Sequence, residues 1–102
     1  MSDISYKLFI RAFSSKTRLD IIKHLSKKGA SVSDISNSLG FEQSRVSHNL
    51  ACLAECGFVE VNRKGKQRIY SLNRKTILPM LRLMDRHIKK YHKHLKECGV
   101  LK

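Results

Sequence analysis

The stretch from Ser33 to Tyr70 most constrains the fold of this chain. Its first part, SDISNSLG, opens on Ser33, a favourable N-cap residue, and has Ile35 and Leu39 at helical spacing. Gly40 follows, and glycine is the residue at which helices most readily end. A second helical pattern begins almost at once. Two helical patterns joined by so short a turn predict a helix-turn-helix.

The second pattern, FEQSRVSHNLACLAECGF, predicts a helix with one apolar and one polar face. A rotation of about 100° per residue places Val46, Leu50 and Leu53 on one stripe. The outward face carries small and polar side chains: Ser44, Ser47, His48, Ala51 and Glu55. Together with the neighbouring Gln43, such side chains can lie against base edges and phosphates in a major groove.

The run VEVNRKGKQRIYSL predicts a β-hairpin. Val59 and Val61 alternate with polar residues, and apolar residues resume at Ile69 and Leu72 after a turn that contains a glycine. Four cations crowd the predicted tip: Arg63, Lys64, Lys66 and Arg68.

Residues 12 to 73 resemble the ArsR/SmtB family of winged helix-turn-helix repressors. Four segments in the right order and spacing carry the resemblance: TRLDIIKHL, ASVSDISNSLG, QSRVSHNLACLAECGFV and RKGKQRIYSL. The most specific is Gln-Ser-x-Val-Ser-His at 43–48, which is similar to the recognition helix of the family. The resemblance implies a mainly α chain with a small β-hairpin, in the order α-α-α-α-β-β-α, that dimerises through its first and last helices.

A chain of 102 residues is expected to form one domain, spanning 1–102, because this size supports a single core. Within it we expect four functional segments: an N-terminal dimerisation helix at 1–14, the helix-turn-helix at 33–56, the wing hairpin at 58–72 and a C-terminal dimerisation helix at 76–98.

The charge predicts a polyanionic partner. Twenty-one Lys and Arg against eight Asp and Glu give a formal charge of +13, and Asp85 is the only acid between Arg63 and Lys96. Thermophile proteins also enrich surface lysine, but they usually pair it with glutamate, and this chain has four glutamates.

The resemblance implies that this partner is double-stranded DNA. Base edges and nearby phosphates would be contacted by residues of the second helix: Gln43, Ser44, Ser47 and His48. Arg45, on the flank of that helix, is expected to bind a phosphate. The hairpin cations Arg63, Lys64, Lys66 and Arg68 would hold the DNA backbone or the minor groove.

A non-specific nucleoid or RNA-binding protein is the main alternative, because the same charge would serve it. The few aromatic residues argue against stacking on single strands, since Phe41, Phe58 and Tyr70 are expected in the core. An enzyme is not expected, because no nucleophile, base and orienting acid stand at motif spacing.

The last helix carries a narrow apolar seam, with spacings that alternate between four and three residues: Ile77, Leu81, Met84, Ile88, Tyr91, Leu95 and Cys98. We interpret it as a homodimer interface formed by Leu81, Met84, Ile88, Tyr91 and Leu95. Ile4 and Leu8, from the first helix, would join it, because the family packs that helix in the dimer interface. A seam that packs only within one protomer is the alternative.

The segment SSKTRLDIIKHLSKKG predicts a scaffolding helix with a Thr17-x-x-Asp20 capping box. Its core stripe would be Leu19, Ile22 and Leu25. Arg18 either pairs with an acid or touches a phosphate, and we favour the structural role.

No metal and no cofactor are predicted. The first metal site of the family uses two cysteines in the stretch that here reads ASVSD, where both are serine, a poor soft-metal ligand. The second site falls, by alignment from YSL, at Arg74, Thr76, His87 and Lys90, of which only His87 could ligate. No small-molecule ligand is identifiable.

A thiol- or metal-responsive sensor stays open as an alternative. It would use Cys98, in an intersubunit disulfide, or a shifted cluster on the last helix: Asp85, His87, His92, His94 and Cys98. Cys52 and Cys56 are expected to be small core or flank residues, because Cβ atoms one helical turn apart are too distant for a disulfide.

The chain is expected in the cytoplasm and not in a membrane. No apolar run approaches the roughly 18 residues of a membrane span, and no secretory signal is recognisable. Three cysteines without a framework pattern fit a reducing compartment.

Overall fold

The computed structural model describes residues 2–101, in which five helices and one two-stranded antiparallel sheet form. The elements in chain order are α1 (Asp3–Ser14), α2 (Lys16–Leu25), α3 (Val32–Leu39), α4 (Gln43–Glu55), β1 (Val59–Lys64), β2 (Gln67–Leu72) and α5 (Ile77–Glu97). This order confirms the predicted mainly α fold with a small hairpin. The first segment was predicted from Met1, which lies outside the described residues.

Helix α3 begins earlier than the sequence pattern predicted. Its N-cap is Ser31, whose Oγ accepts from the backbone N–H of Asp34 at 3.1 Å, while Asp34 Oδ2 accepts from the N–H of Ser31 at 3.3 Å. This reciprocal capping box satisfies two backbone donors, whereas a helix starting at Ser33 would leave Asp34 outside the capping position. The prediction of Ser33 as the cap is therefore wrong.

The predicted capping box of α2 is also wrong. Ser15 is the N-cap, and its hydroxyl accepts from the N–H of Arg18 at 3.3 Å. Asp20 instead pairs with Lys16, at 2.9 Å between Oδ2 and Nζ. Thr17 is the second residue of the helix and is buried.

Arg18 has a structural role at the α1–α2 corner. Its guanidinium donates to the carbonyls of Ala12, at 3.4 Å, and Arg11, at 3.1 Å. These carbonyls belong to the last turn of α1, where helical partners are missing. Arg18 thus closes the end of α1 rather than pairing with an acid.

The core lies where α2, α3 and α4 meet the base of the hairpin and the start of α5. Its apolar residues are Ile21, Ile22, Leu25, Ala30, Ile35, Val46, Leu50, Leu53, Phe58, Val59, Tyr70, Leu72, Ile77 and Leu81. Ile21 takes the place predicted for Leu19, which is half-buried. Phe58 and Tyr70 are buried as predicted, and Phe41 is half-buried at the edge of the core.

Helix α1 covers one side of this core through an aromatic cluster. The rings of Phe9 and Phe13 lie 5.1 and 5.4 Å from the ring of Phe58, between centroids. The predicted interface residues Ile4 and Leu8 lie outside this contact and are exposed, at 69% and 57% of their surface. One face of α1 therefore packs within the protomer while another remains uncovered.

The hairpin packs only at its base. Val59 is buried opposite Leu72, but Val61 is 47% exposed, in contrast to the predicted inward alternation, because two strands alone project beyond the core. The turn has Gly65 at φ 63°, as a two-residue hairpin turn with glycine in its first position requires.

The base of the hairpin is tied to the loop before α3. Ala30 and Tyr70 exchange two backbone hydrogen bonds, of 2.9 and 2.8 Å. Gly29 adjoins this bridge, and a Cβ atom there would lie 3.0 Å from Ile69 Cγ2 and 3.2 Å from the carbonyl oxygen of Tyr70. The missing side chain of Gly29 thus permits the close approach.

Helix α5 is the longest element, with 21 residues and a kink at Tyr91, where φ is −113° and ψ is 15°. Its start is held by Asn73, whose Oδ1 accepts from the N–H groups of Lys75 and Thr76. Leu81, which was predicted in the dimer interface, is 3% exposed and packs in the protomer's own core. In residues 2–101 no helix has the length and apolarity needed to cross a bilayer.

Candidate nucleic-acid interface

Helix α4 presents the polar face that its sequence predicted. Val46, Leu50 and Leu53 are at most 1% exposed and fix the helix to the core. The predicted contact residues of this helix are all exposed: Gln43, Ser44, Arg45, Ser47 and His48. The structure therefore brings these side chains together on one accessible surface.

The turn before α4 is held from α3. Gly40 ends α3 with φ 73°, and the hydroxyl of Ser36 donates to the carbonyl oxygen of Phe41 at 2.5 Å. Gln43 Nε2 donates to the hydroxyl of Ser33 at 3.4 Å, across the two helices. Glu42 occupies the N-cap position of α4 but makes no side-chain capping bond.

Arg45 is exposed, but its guanidinium is engaged within the protein. Nη2 donates to the hydroxyl of Thr17, and the guanidinium carbon lies 4.6 Å from the ring centroid of Phe41. The sequence predicted only a phosphate contact for Arg45 and a capping role for Thr17. No local signal could have paired them, because 28 residues separate them along the chain.

The hairpin brings its four predicted cations to one end. Arg63 lies opposite Arg68 in the strand register, Lys64 lies opposite Gln67, and Lys66 is in the turn. Like charges directly opposite each other in a sheet destabilise it, so this arrangement costs folding energy unless an anion lies beside it. All four side chains are exposed.

Among residues 2–101, no carboxylate pairs with the cations of the hairpin and of α5. Within residues 2–101 the pair between Lys16 and Asp20 is the single ion pair. The exposed basic residues of α5 are Arg82, Arg86, Lys89, Lys90, Lys93 and Lys96. Their charge is therefore not neutralised within the described chain.

The cysteines and histidines of residues 2–101 are not gathered into a cluster of metal ligands. In the described part of the chain, no three His, Cys, Asp or Glu side chains lie close enough to hold an ion. Ser31 and Ser33, at the first family site, are engaged as helix cap and as acceptor from Gln43. The cysteine-based site of the family therefore does not fit these residues.

Two cysteines nevertheless share one face of α4. Cys52 and Cys56 are exposed and lie one helical turn apart, so they flank the helix rather than fill the core. Partial desolvation, and next the neighbouring Cys52 thiol, raise the pKa of the Cys56 thiol above its ordinary value. Cys98 is half-buried at a surface cavity of about 540 Å³, which His87 and His94 also line.

Helices α3 and α4 form a helix-turn-helix that packs on the core and exposes the polar face of its second helix. A basic hairpin follows. This arrangement defines the winged helix-turn-helix class of DNA-binding proteins. The model of the bacterial regulatory protein arsR family matches residues 15–61, which span α2, α3, α4 and the start of β1. Residues 15–61 of the chain therefore match the ArsR family of transcriptional regulators, which are not enzymes.

Known proteins agree with this assignment. The chain is 34% identical over 64 residues to a probable mercury resistance operon repressor of Streptomyces lividans, covering 63% of this chain and 51% of that protein. It therefore spans about half the length of that relative. The transcriptional activator HlyU of Vibrio cholerae is 28% identical over 79 residues, which is 78% of this chain and 73% of that protein.

Solved structures show the same fold. The structure of HlyU from Vibrio cholerae matches with a TM-score of 0.72 at 28% identity, covering 84% of this chain and 96% of that one. The homodimeric winged helix-turn-helix domain of Mb0332 from Mycobacterium bovis matches with a TM-score of 0.76, covering 92% and 93% of the two chains. At 23% identity, this second likeness concerns the fold alone.

Proposed function

We propose that the protein is a homodimeric, sequence-specific repressor that binds double-stranded DNA in the cytoplasm and occludes a promoter. The observation that carries the proposal is the exposed polar face of α4 beside unpaired hairpin cations. Gln43, Ser44, Ser47 and His48 would contact base edges in the major groove, and Arg63, Lys64, Lys66 and Arg68 the DNA backbone or minor groove.

The polar face of α4 favours sequence-specific binding over the nucleoid-type alternative. Charge alone binds any duplex, because phosphates carry no sequence information. The side chains Gln43, Ser44, Ser47 and His48 combine hydrogen-bond donors and acceptors on a helix whose inner residues are fully buried. A rigid helix with such a face can discriminate between base pairs.

A dimer is proposed because apolar side chains of α1 and α5 remain exposed in the single chain. Besides Ile4 and Leu8, the uncovered residues include Ile88, Tyr91 and Leu95, and the half-buried Met84 lies on the same stripe of α5. The homodimeric state of Mb0332, a protein of the same fold, is consistent with this arrangement. Two recognition helices would enter successive major grooves about 34–36 Å apart.

Selection of bound sites from random duplexes at physiological salt tests the proposal. We expect recovery of an inverted repeat whose half-sites are separated by about one helical turn. A promoter carrying that repeat should be silenced in a reporter assay when the protein is present. Recovery of unrelated sequences would support the nucleoid-type alternative. An increase in reporter output would show that the protein activates transcription, the activity named in the description of HlyU.

Gln43 should contribute to sequence choice. Gln43→Ala is expected to lower the affinity for the selected site by about 1–3 kcal/mol while leaving the affinity for scrambled duplex unchanged. Fluorescence anisotropy with both duplexes measures the two affinities. Asn37→Ala, an exposed change on α3, is the matched control. Equal losses on both duplexes would contradict a role in base readout.

Response to a thiophilic metal ion is a second candidate function, favoured by the paired thiols of Cys52 and Cys56. Thiolates are the soft ligands that such ions prefer, and the relative from Streptomyces lividans is named for mercury resistance. An ion held by this pair would lie on the recognition helix itself. The last-helix variant of this idea, with Cys98 and the histidines, offers a single thiol in place of two.

Mercuric ion provides the test. Titration should produce ultraviolet thiolate-to-metal absorption that is lost in Cys52→Ser and in Cys56→Ser but kept in Cys98→Ser. Because ligation releases the thiol proton and the pKa of Cys56 is raised, binding should weaken as the pH is lowered. Equal absorption in all variants, or none in the wild type, would remove this candidate.

A further inference from the structure

We propose that Arg45 is a positioning residue, which fixes the recognition helix against α2 through the hydroxyl of Thr17 and the ring of Phe41, rather than a phosphate ligand. The inference rests on the proposed DNA-binding function. It reassigns the one exposed cation of α4, which the sequence placed with the DNA contacts.

The contacts of Arg45 join three elements. Its guanidinium donates to Thr17 on α2 and covers the face of Phe41 in the turn, at 4.6 Å. Thr17 is 8% exposed, so its hydroxyl has little access to water. The carbonyl of Phe41 is itself held by Ser36 of α3. Arg45 is therefore connected to both scaffold helices, directly to α2 and through the turn to α3.

The start of α4 needs such a contact because it lacks a side-chain cap. Glu42 stands at the N-cap without a capping bond, so the first N–H groups of the helix receive no side-chain acceptor from that position. The apolar anchors begin at Val46, after the first turn. In that first turn, the directional side-chain contacts are those of Arg45 and of Gln43, and Gln43 donates to an exposed hydroxyl of α3 at 3.4 Å.

The geometry requires arginine and not merely a positive charge. A planar guanidinium can stack on an aromatic ring and donate sideways at the same time, whereas the ammonium of lysine has no such face. Ser44 and Ser47 flank Arg45 along the chain and have short side chains, so a small tilt of the first turn would remove them from the base edges. Sequence discrimination should therefore depend on Arg45 although it does not touch a base.

The test measures affinity for the selected site and for scrambled duplex over a range of salt concentrations. Thr17→Val removes the acceptor, keeps the shape of the side chain and alters a residue that is itself buried. We expect an affinity for the selected site about five- to thirty-fold lower, an unchanged affinity for scrambled duplex and an unchanged salt slope. Thr17→Ser, which keeps the hydroxyl, should behave as the wild type.

Arg45→Lys separates position from charge. It should reproduce the loss seen in Thr17→Val, since the charge is kept but the stack and the directed hydrogen bond are lost. Lys64→Gln, at the hairpin, is the comparison for a true phosphate ligand and should lower the salt slope by about one on both duplexes. If Arg45→Lys binds as the wild type while Arg45→Gln lowers the slope by one, Arg45 is a phosphate ligand and the inference is wrong.

Stability measurements keep the inference separate from the proposed function. A double-mutant cycle of Arg45→Lys and Thr17→Val, read by chemical unfolding without DNA, should show that the two effects are not additive. Additive effects would show that the residues do not act together and would overturn the inference. Should the wild type fail to discriminate between duplexes, the proposed function falls, while this cycle still decides whether Arg45 positions α4.

Discussion

Helices α4 and α5 both carry an apolar stripe, but they use it differently. In α4 the residues Val46, Leu50 and Leu53 are all covered by the protomer itself. In α5 the protomer covers Ile77 and Leu81, and beyond this point Ile88 and Leu95 are 42% and 37% exposed. One chain therefore completes the core beneath α4 but leaves the second half of α5 without an apolar partner.

The largest expected effect concerns the uncovered part of α5. Ile88→Asp combined with Leu95→Asp should convert the proposed dimer into monomers and reduce affinity for an inverted repeat at least about 100-fold, because each half-site must then bind separately. Sedimentation velocity and anisotropy measure the two changes. Arg86→Gln with Lys93→Gln, on the opposite face, should leave the dimer intact. A wild type that sediments as a monomer would contradict the comparison.

The second effect tests the covered stripe of α4. Leu50→Ala removes a side chain with no exposed surface and should lower the free energy of unfolding by about 2–5 kcal/mol. Leu83→Ala, at a position 58% exposed, should change it by no more than about 0.5 kcal/mol. Urea unfolding at one fixed protein concentration measures both. Leu83 lies outside the apolar stripe of α5, so similar losses in the two variants would mean that burial in the protomer does not determine the contribution of these leucines to stability.

The smallest expected effect concerns the hairpin cations and the salt dependence of DNA binding. Lys66→Gln, in the hairpin turn, should reduce the salt slope of DNA binding by about one unit for selected and scrambled duplexes alike. Lys23→Gln on α2 removes the same charge far from the hairpin turn in sequence and is the control. An unchanged salt slope in Lys66→Gln would contradict a contact between the hairpin turn and DNA.

Local patterns predicted the elements well because their causes are local. The stripe of α4, the glycines at the ends of α3 and in the hairpin turn, and the cationic hairpin tip all depend on spacing within a few residues. The N-cap of α3 was harder to predict, because Ser31 and Ser33 are both good N-cap residues. Only the hydrogen bond in which Asp34 accepts from the backbone N–H of Ser31 distinguishes them.

Contacts between distant residues could not be predicted. The periodicity of α5 put Leu81 and Ile88 on one stripe, but it could not indicate that the protomer's own core covers Leu81 and leaves Ile88 uncovered. The pairing of Arg45 with Thr17 joins residues from different helices, and neither residue carries a local signal for it. These tertiary contacts determine which predicted site residues are free to reach a ligand.

The bridge between Ala30 and Tyr70 determines the direction in which the hairpin points. Both bonds are made by backbone atoms, so they do not require particular side chains at Ala30 or Tyr70. Residues inserted at the turn would lengthen the hairpin along its existing axis without altering its angle to α4. A longer hairpin would in this way carry its turn cations farther from the core while α4 keeps its place.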